Sequence, residues 1–158
     1  MIIVRHEVRA RAPAARCFDL ARNVDLHVAS AADIAARAVG GRTGGLSGMG
    51  DETTWSARFC GVRFTMVTRV EDFAPPTGFG DRLTRGLLRE FAHRYRFTPL
   101  PDGGCMMSDE LTVTAPFGLF GKLAERLYLA RRMCVLVRRR LEYLRRVAEG
   151  DDWQRYLS

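Results

Sequence analysis

Asp81, His93, Tyr95 and Asp109 are spaced so that they could come together as an acid–base site. Each lies in a segment where apolar and polar residues alternate, which predicts a strand and tells which neighbours share its face. Phe91, His93, Tyr95 and Phe97 share one face, as do Phe79, Asp81 and Leu83, and Met107, Asp109, Leu111 and Val113. If residues 85–88 turn the chain, antiparallel pairing sets Asp81 opposite His93. An even register across the next turn sets Asp109 opposite His93 as well. An imidazole oriented by a carboxylate can serve as general base or acid at a carbonyl-bearing substrate, with Tyr95 donating to a developing oxyanion. The same grouping also reads as a satisfied internal network, because carboxylates and imidazoles are costly to bury unless paired.

Little else in the chain supplies chemistry. One histidine and two distant aspartates do not form a metal-ligand motif, so no metal is expected. Cys17, Cys60, Cys105 and Cys134 are scattered without a C-x-x-C pair, which predicts reduced core thiols. Six glycines between residues 40 and 50 match neither phosphate-binding pattern and predict a mobile loop. No nucleophile or cofactor motif is present, and no cofactor is expected. His27 is placed on a short helix, as a half-exposed surface residue in preference to one near the mouth of a pocket, and His6 as a core histidine against the last strand.

The elements that must position these residues follow from periodicity. Residues 2–10 alternate strictly and predict a half-buried strand. Two short helices are predicted over 14–22 and 26–32, then a weak strand over 34–39. Hairpin connections at 60–61, 74–78, 85–88 and 101–104 delimit five more strands near 52–60, 62–73, 79–84, 89–98 and 105–115. The last long element is a helix over 119–148. Its stripe of Leu123, Leu127, Ala130, Cys134, Val137, Leu141, Leu144 and Ala148 requires a sheet to lie on. The order predicts an α+β fold in one domain, residues 1–149, with 150–158 as a C-terminal tail.

The 158 residues carry a net charge of +7, and Lys122 is the only lysine among 25 basic side chains. The outer face of the long helix is basic, so RNA, a ribosome or an acidic membrane surface enters as a third functional reading, less favoured than a solvated face. No apolar run is long enough for a signal peptide or a membrane span, and a cytoplasmic location is expected.

Local runs carry a resemblance. These are Ala12-Pro13 followed by Cys17-Phe18-Asp19-Leu20, Gly50-Asp51 to Trp55, Arg85-Gly86 with Phe91, His93 and Phe97 after it, and Ser108 to Leu111. Ala115-Pro116-Phe117-Gly118 leading into Leu123-Ala124-Glu125-Arg126 completes the set. With the order of elements, they resemble small bacterial members of the START and birch-pollen-allergen superfamily, also described as polyketide cyclase/dehydrase-like. The resemblance implies a helix-grip fold, a curved seven-stranded antiparallel sheet gripping the long helix, with a cavity between them.

Strand alternation then nominates the lining. Trp55, Phe59, Phe64, Met66, Thr68, Phe79, Phe91, His93, Tyr95, Met107, Asp109 and Leu111 face inward from the sheet, with Leu127 and Cys134 from the helix. The expected function is binding of a small hydrophobic or amphipathic ligand such as a lipid, isoprenoid, quinone or polyketide. The alternative is a cyclase or dehydratase that uses His93 with Asp81 or Asp109.

Overall fold

The computed structural model describes residues 1–59, 61–116 and 128–158. The alternating start of the chain forms β1 (Ile2–Ala10), with Val4 and Ala10 buried. Pro13 ends it and α1 (Ala14–Ala21) follows, burying Cys17, Phe18 and Leu20. The next helix, α2 (Val24–Ser30), begins two residues earlier than expected, because Asn23 is its cap and accepts from the Leu26 N–H at 3.0 Å. A short 3-10 turn, Ala32–Ile34, occupies the start of the weak strand predicted over 34–39, so β2 is Arg37–Gly41.

The remaining strands are β3 (Glu52–Phe59), β4 (Val62–Ala74), β5 (Gly78–Gly86), β6 (Glu90–Pro99) and β7 (Cys105–Thr114). They form one antiparallel seven-stranded sheet in the order β1-β7-β6-β5-β4-β3-β2, which returns the first strand to the side of the last. Two register shifts interrupt the β4–β5 ladder, at Val67/Thr68 and between Glu71 and Ala74, and such bulges bend a sheet. At Gly78 the strands approach closely. A Cβ there would sit 2.5 Å from the carbonyl oxygen of Tyr95, so glycine is what lets β5 lie against β6.

The register sets Asp81 opposite His93, as expected. It does not set Asp109 there: His93 faces Leu111, and Asp109 faces Tyr95. The displacement from the expected pairing is two residues. An even slip keeps a side chain on its face, so Asp109 still points inward, diagonal to His93.

The long helix, expected over 119–148, is described as α3 (Ala130–Glu149), while the expected portion 119–127, including Leu127, lies outside the described residues. Its buried residues are Met133, Val137, Arg140, Leu141, Leu144, Val147 and Ala148. That row runs through 133, 137, 140 and 144 in steps of four and three and bypasses Cys134, which is exposed and cannot line a pocket. Residues 150–158, expected as a tail, carry α4 (Trp153–Leu157). Its Trp153, Tyr156 and Leu157 pack on the core, and Asn23 donates from Nδ2 to the Tyr156 carbonyl at 2.9 Å. No described helix is long and apolar enough to cross a membrane.

The inner side of the sheet is divided. Toward α1, α4 and the C-terminal half of α3 it is packed, with Phe18 buried among Phe73, Phe79 and Phe97 at ring separations of 5.6, 5.7 and 5.8 Å. Toward the N-terminal half of α3, Leu111, Val113, Met133 and Val137 form a smaller cluster with Phe59 and Phe91 against it. The packing is incomplete on that side.

Candidate functional site

A cavity of about 290 Å³ lies where the sheet and the first half of α3 do not meet. Of the predicted lining residues, Trp55, Phe59, Phe64, Met66, Phe91, His93 and Leu111 border it. Strand alternation places them there: Trp55 and Phe59 rise from β3, Phe64 and Met66 from β4, Phe91 and His93 from β6 and Leu111 from β7. Other predicted residues lie elsewhere. Phe79 and Met107 belong to the packed half of the core. Thr68 is buried behind Trp55 and accepts its indole N–H at 2.9 Å, while Tyr95 and Asp109 lie beneath the cavity floor. The glycine-rich stretch expected as a mobile loop is tied down and does not border the cavity. Gly45 N–H donates to Asp25 Oδ2 at 2.8 Å, and Gly48 N–H donates to Asp51 Oδ2 at 2.9 Å. The bonds to Asp51, from Gly48 first and then from Arg42, hold its carboxyl below its usual range.

One end of the cavity is polar. His93 is 4% exposed, and its Nδ1 lies 3.0 Å from Oδ1 of Asp109, which is 0% exposed. Its Nε2 faces Arg140, whose Nη1 is 3.4 Å away. An arginine only donates, so Nε2 accepts and the ring proton sits on Nδ1, donated to Asp109. Arg140 also donates from Nη2 to the His27 ring, which stacks on Trp55 at 4.3 Å, and its guanidinium lies 5.5 Å over the Tyr95 ring. Tyr95 in turn stacks parallel to His93 at 5.4 Å and on Phe79 at 4.7 Å. The cluster is the partition between the packed half of the core and the cavity. Two of its buried atoms, Tyr95 Oη and Asp109 Oδ2, have no hydrogen-bond partner among the described residues.

Burial and the nearby Arg140 and His93 hold the His27 ring well below the ordinary histidine pKa, so it is a neutral acceptor. Burial likewise lifts the half-buried Asp81 carboxyl, against the pull of His93 and Arg140, and keeps the Tyr95 phenol protonated far into the alkaline range. For His27 the linkage has a definite sign. Its folded pKa lies below its unfolded value, so the unfolded chain binds more protons between the two and stability falls as pH drops below about 6.5. Asp81 has the opposite sign, its folded pKa being raised, so stability falls as pH rises above its unfolded value. His27→Phe keeps the ring on Trp55 and removes the titration. The difference in Tm between wild type and this variant is expected to widen against wild type from pH 7 to pH 5, and a constant difference would contradict the burial of a neutral ring.

Two residues of this cluster escape a reading by strand alternation and apolar stripe. Arg140 falls with the basic outer face when the stripe is drawn through Cys134, yet it sits three residues after Val137 and four before Leu144, the spacing of the buried row. His27, expected as a half-exposed surface residue in preference to one at the pocket mouth, is half-buried in the cavity wall. Among the described residues the other arginines of the basic face point outward, with Arg139 paired to Asp33 at 3.0 Å and Arg145 to Glu142 at 2.8 Å. Cys17 and Cys105 are buried thiols in contact, inside the packed half; the Cys105 contact, then burial, raises the Cys17 thiol pKa. Among the described residues no group of three His, Cys, Asp or Glu side chains could hold a metal ion.

A seven-stranded antiparallel sheet with two short helices after its first strand, and a long C-terminal helix laid across it beside a cavity, is the helix-grip fold of the START and Bet v 1-like proteins. Among solved structures the chain is similar to TTHA0849 from Thermus thermophilus, with 19% identity and a TM-score of 0.73 over 91% of this chain and 94% of that one. It is similar to a START superfamily protein from Mycobacterium smegmatis, with 16% identity and a TM-score of 0.69 over 91% and 97%. It also matches Ara h 8.0201, with 14% identity and a TM-score of 0.59 over 90% and 96%. At these identities the likeness is one of fold. No protein-family model matches the chain, and no curated protein matches it by sequence.

Proposed function

We propose that the protein binds a compact apolar or amphipathic small molecule between the sheet and α3. The observation that carries this reading is a 290 Å³ void with almost wholly apolar walls and polar groups gathered at one end. Ligand sites have that composition, and their volumes run from about 300 to 1,000 Å³. The small size favours a single-ring quinone, a short isoprenoid or a short polyketide over a diacyl lipid.

Native mass spectrometry of freshly purified protein, followed by solvent extraction, tests the reading by finding a co-purified molecule. A designed block tests the location. Ala57 is 4% exposed, lies across β3–β4 from Phe64 and borders the cavity, so Ala57→Phe places a ring in the void. It is expected to weaken binding of 2-naphthamide, a neutral probe of suitable size, by about tenfold or more, or about 1.4 kcal/mol. Unchanged affinity in a folded variant would put the binding elsewhere.

The His93–Asp109 pair supports a second reading, an acid–base catalyst of the cyclase or dehydratase kind. His93 borders the cavity with its ring oriented by a buried carboxylate, the arrangement that fixes a catalytic tautomer. Its Nε2 would have to exchange Arg140 for the substrate. Turnover of a polyketide-like substrate that survived His93→Ala unchanged would remove this mechanism.

A further inference from the structure

Apolar binding alone gives Arg140 nothing to do. The side chain is 7% exposed in a wall that is otherwise mostly apolar, and taking a guanidinium out of water is costly unless an anion meets it. On the same helix Arg139 and Arg145 each have a carboxylate partner. Arg140 has no such contact: among the described residues no Asp or Glu oxygen lies within 4.0 Å of it, its hydrogen-bond neighbours are two imidazoles, and the Asp81 carboxyl acts on it only through space. The carboxylate of Asp109 is bonded to the far nitrogen of His93, with the imidazole standing between the two charges. Of the three guanidinium nitrogens, Nη1 faces His93 and Nη2 faces both ring nitrogens of His27.

We infer that Arg140 anchors a carboxylate of the bound molecule, so that the ligand is a compact hydrophobic acid. Its apolar body lies against Trp55, Phe64, Phe91 and Leu111 and its acid group on the guanidinium fork. The inference rests on the cavity reading above and adds the chemical class. A planar two-oxygen anion matches the fork in bidentate geometry. A phosphate dianion would carry more charge into the same small apolar space, at a greater desolvation cost. The contact with His27 is the replaceable one. A neutral acceptor can yield its place without stranding a charge, whereas His93 is fixed from its other nitrogen by Asp109.

The test uses a near-isosteric pair, 2-naphthoate and 2-naphthamide, titrated by calorimetry into the wild-type protein and into the Arg140→Met and Arg140→Lys variants. The wild type is expected to bind the acid about tenfold or more tightly than the amide, the scale of a charge-assisted hydrogen bond. Arg140→Met should abolish that preference, weakening the acid by about tenfold or more and the amide less. Arg140→Lys should keep part of the preference, since it retains the charge without the fork. Equal affinity of the wild type for both probes would overturn the anchor alone, as would a preference for the acid that survives Arg140→Met. Failure of the wild type to bind either probe would overturn the cavity reading, and the anchor with it.

Discussion

Replacing His93 with phenylalanine is expected to cost about 3 kcal/mol of folding stability at neutral pH, the scale of leaving a buried charged acceptor without its hydrogen bond. The reason is Asp109. It is 0% exposed, its Oδ1 has His93 Nδ1 as partner at 3.0 Å, and its Oδ2 has no partner among the described residues. With a phenyl ring in place of the imidazole, a carboxylate would be left beneath the floor of an apolar cavity with no hydrogen bond among the described residues. A double variant separates this cause from lost packing. The double variant His93→Phe with Asp109→Leu removes both polar groups and should recover most of the loss, because an apolar pair of similar volume carries no unmet hydrogen bond. Urea unfolding with a shared m-value gives each difference from the midpoints. A cost below about 1 kcal/mol, within the ordinary range for a single substitution, would mean that Asp109 has a route to water.

This prediction depends on which parts of the site were legible in the sequence. The inward face of each strand was readable, because side chains alternate and an error in the β6–β7 pairing of two residues leaves every residue on its side. Thus Trp55, Phe64, Phe91, His93 and Leu111 could be nominated without knowing the correct partners. Depth along the sheet was not readable. Phe79 and Met107 alternate as Phe91 and Leu111 do, and only the docking of α1 and α4 decides that the first pair is in solid core and the second beside a void. The helix was harder still. Its arginines sit on all sides, so a purely apolar stripe drawn through Cys134 passes over Arg140, whose spacing from Val137 and Leu144 marks the buried row. A charged residue at a buried-row position is the kind of local inconsistency that points to a site.

Phe18→Ala is expected to cost about 3–5 kcal/mol, the range for removing a fully buried aromatic side chain. Phe18 is 2% exposed and packs against Phe73, Phe79 and Phe97 at 5.6 to 5.8 Å, so its removal leaves a space that three rings cannot easily fill. None of these four aromatics borders the 290 Å³ cavity, and the parallel stack of Tyr95 on His93 stands between the two regions. The substitution therefore distinguishes two kinds of interior. It should lower the midpoint of urea unfolding strongly while leaving affinity for 2-naphthamide within about twofold, since separate, non-contacting sites add independently. Phe64→Ala should do the reverse. Phe64 is half-buried and lines the cavity, so losing its ring removes ligand contacts at a smaller cost in stability. If Phe18→Ala weakened the probe as much as Phe64→Ala does, the cluster of His93, Tyr95, Asp109 and Arg140 would not be a partition, and the cavity would be part of one continuous, yielding core.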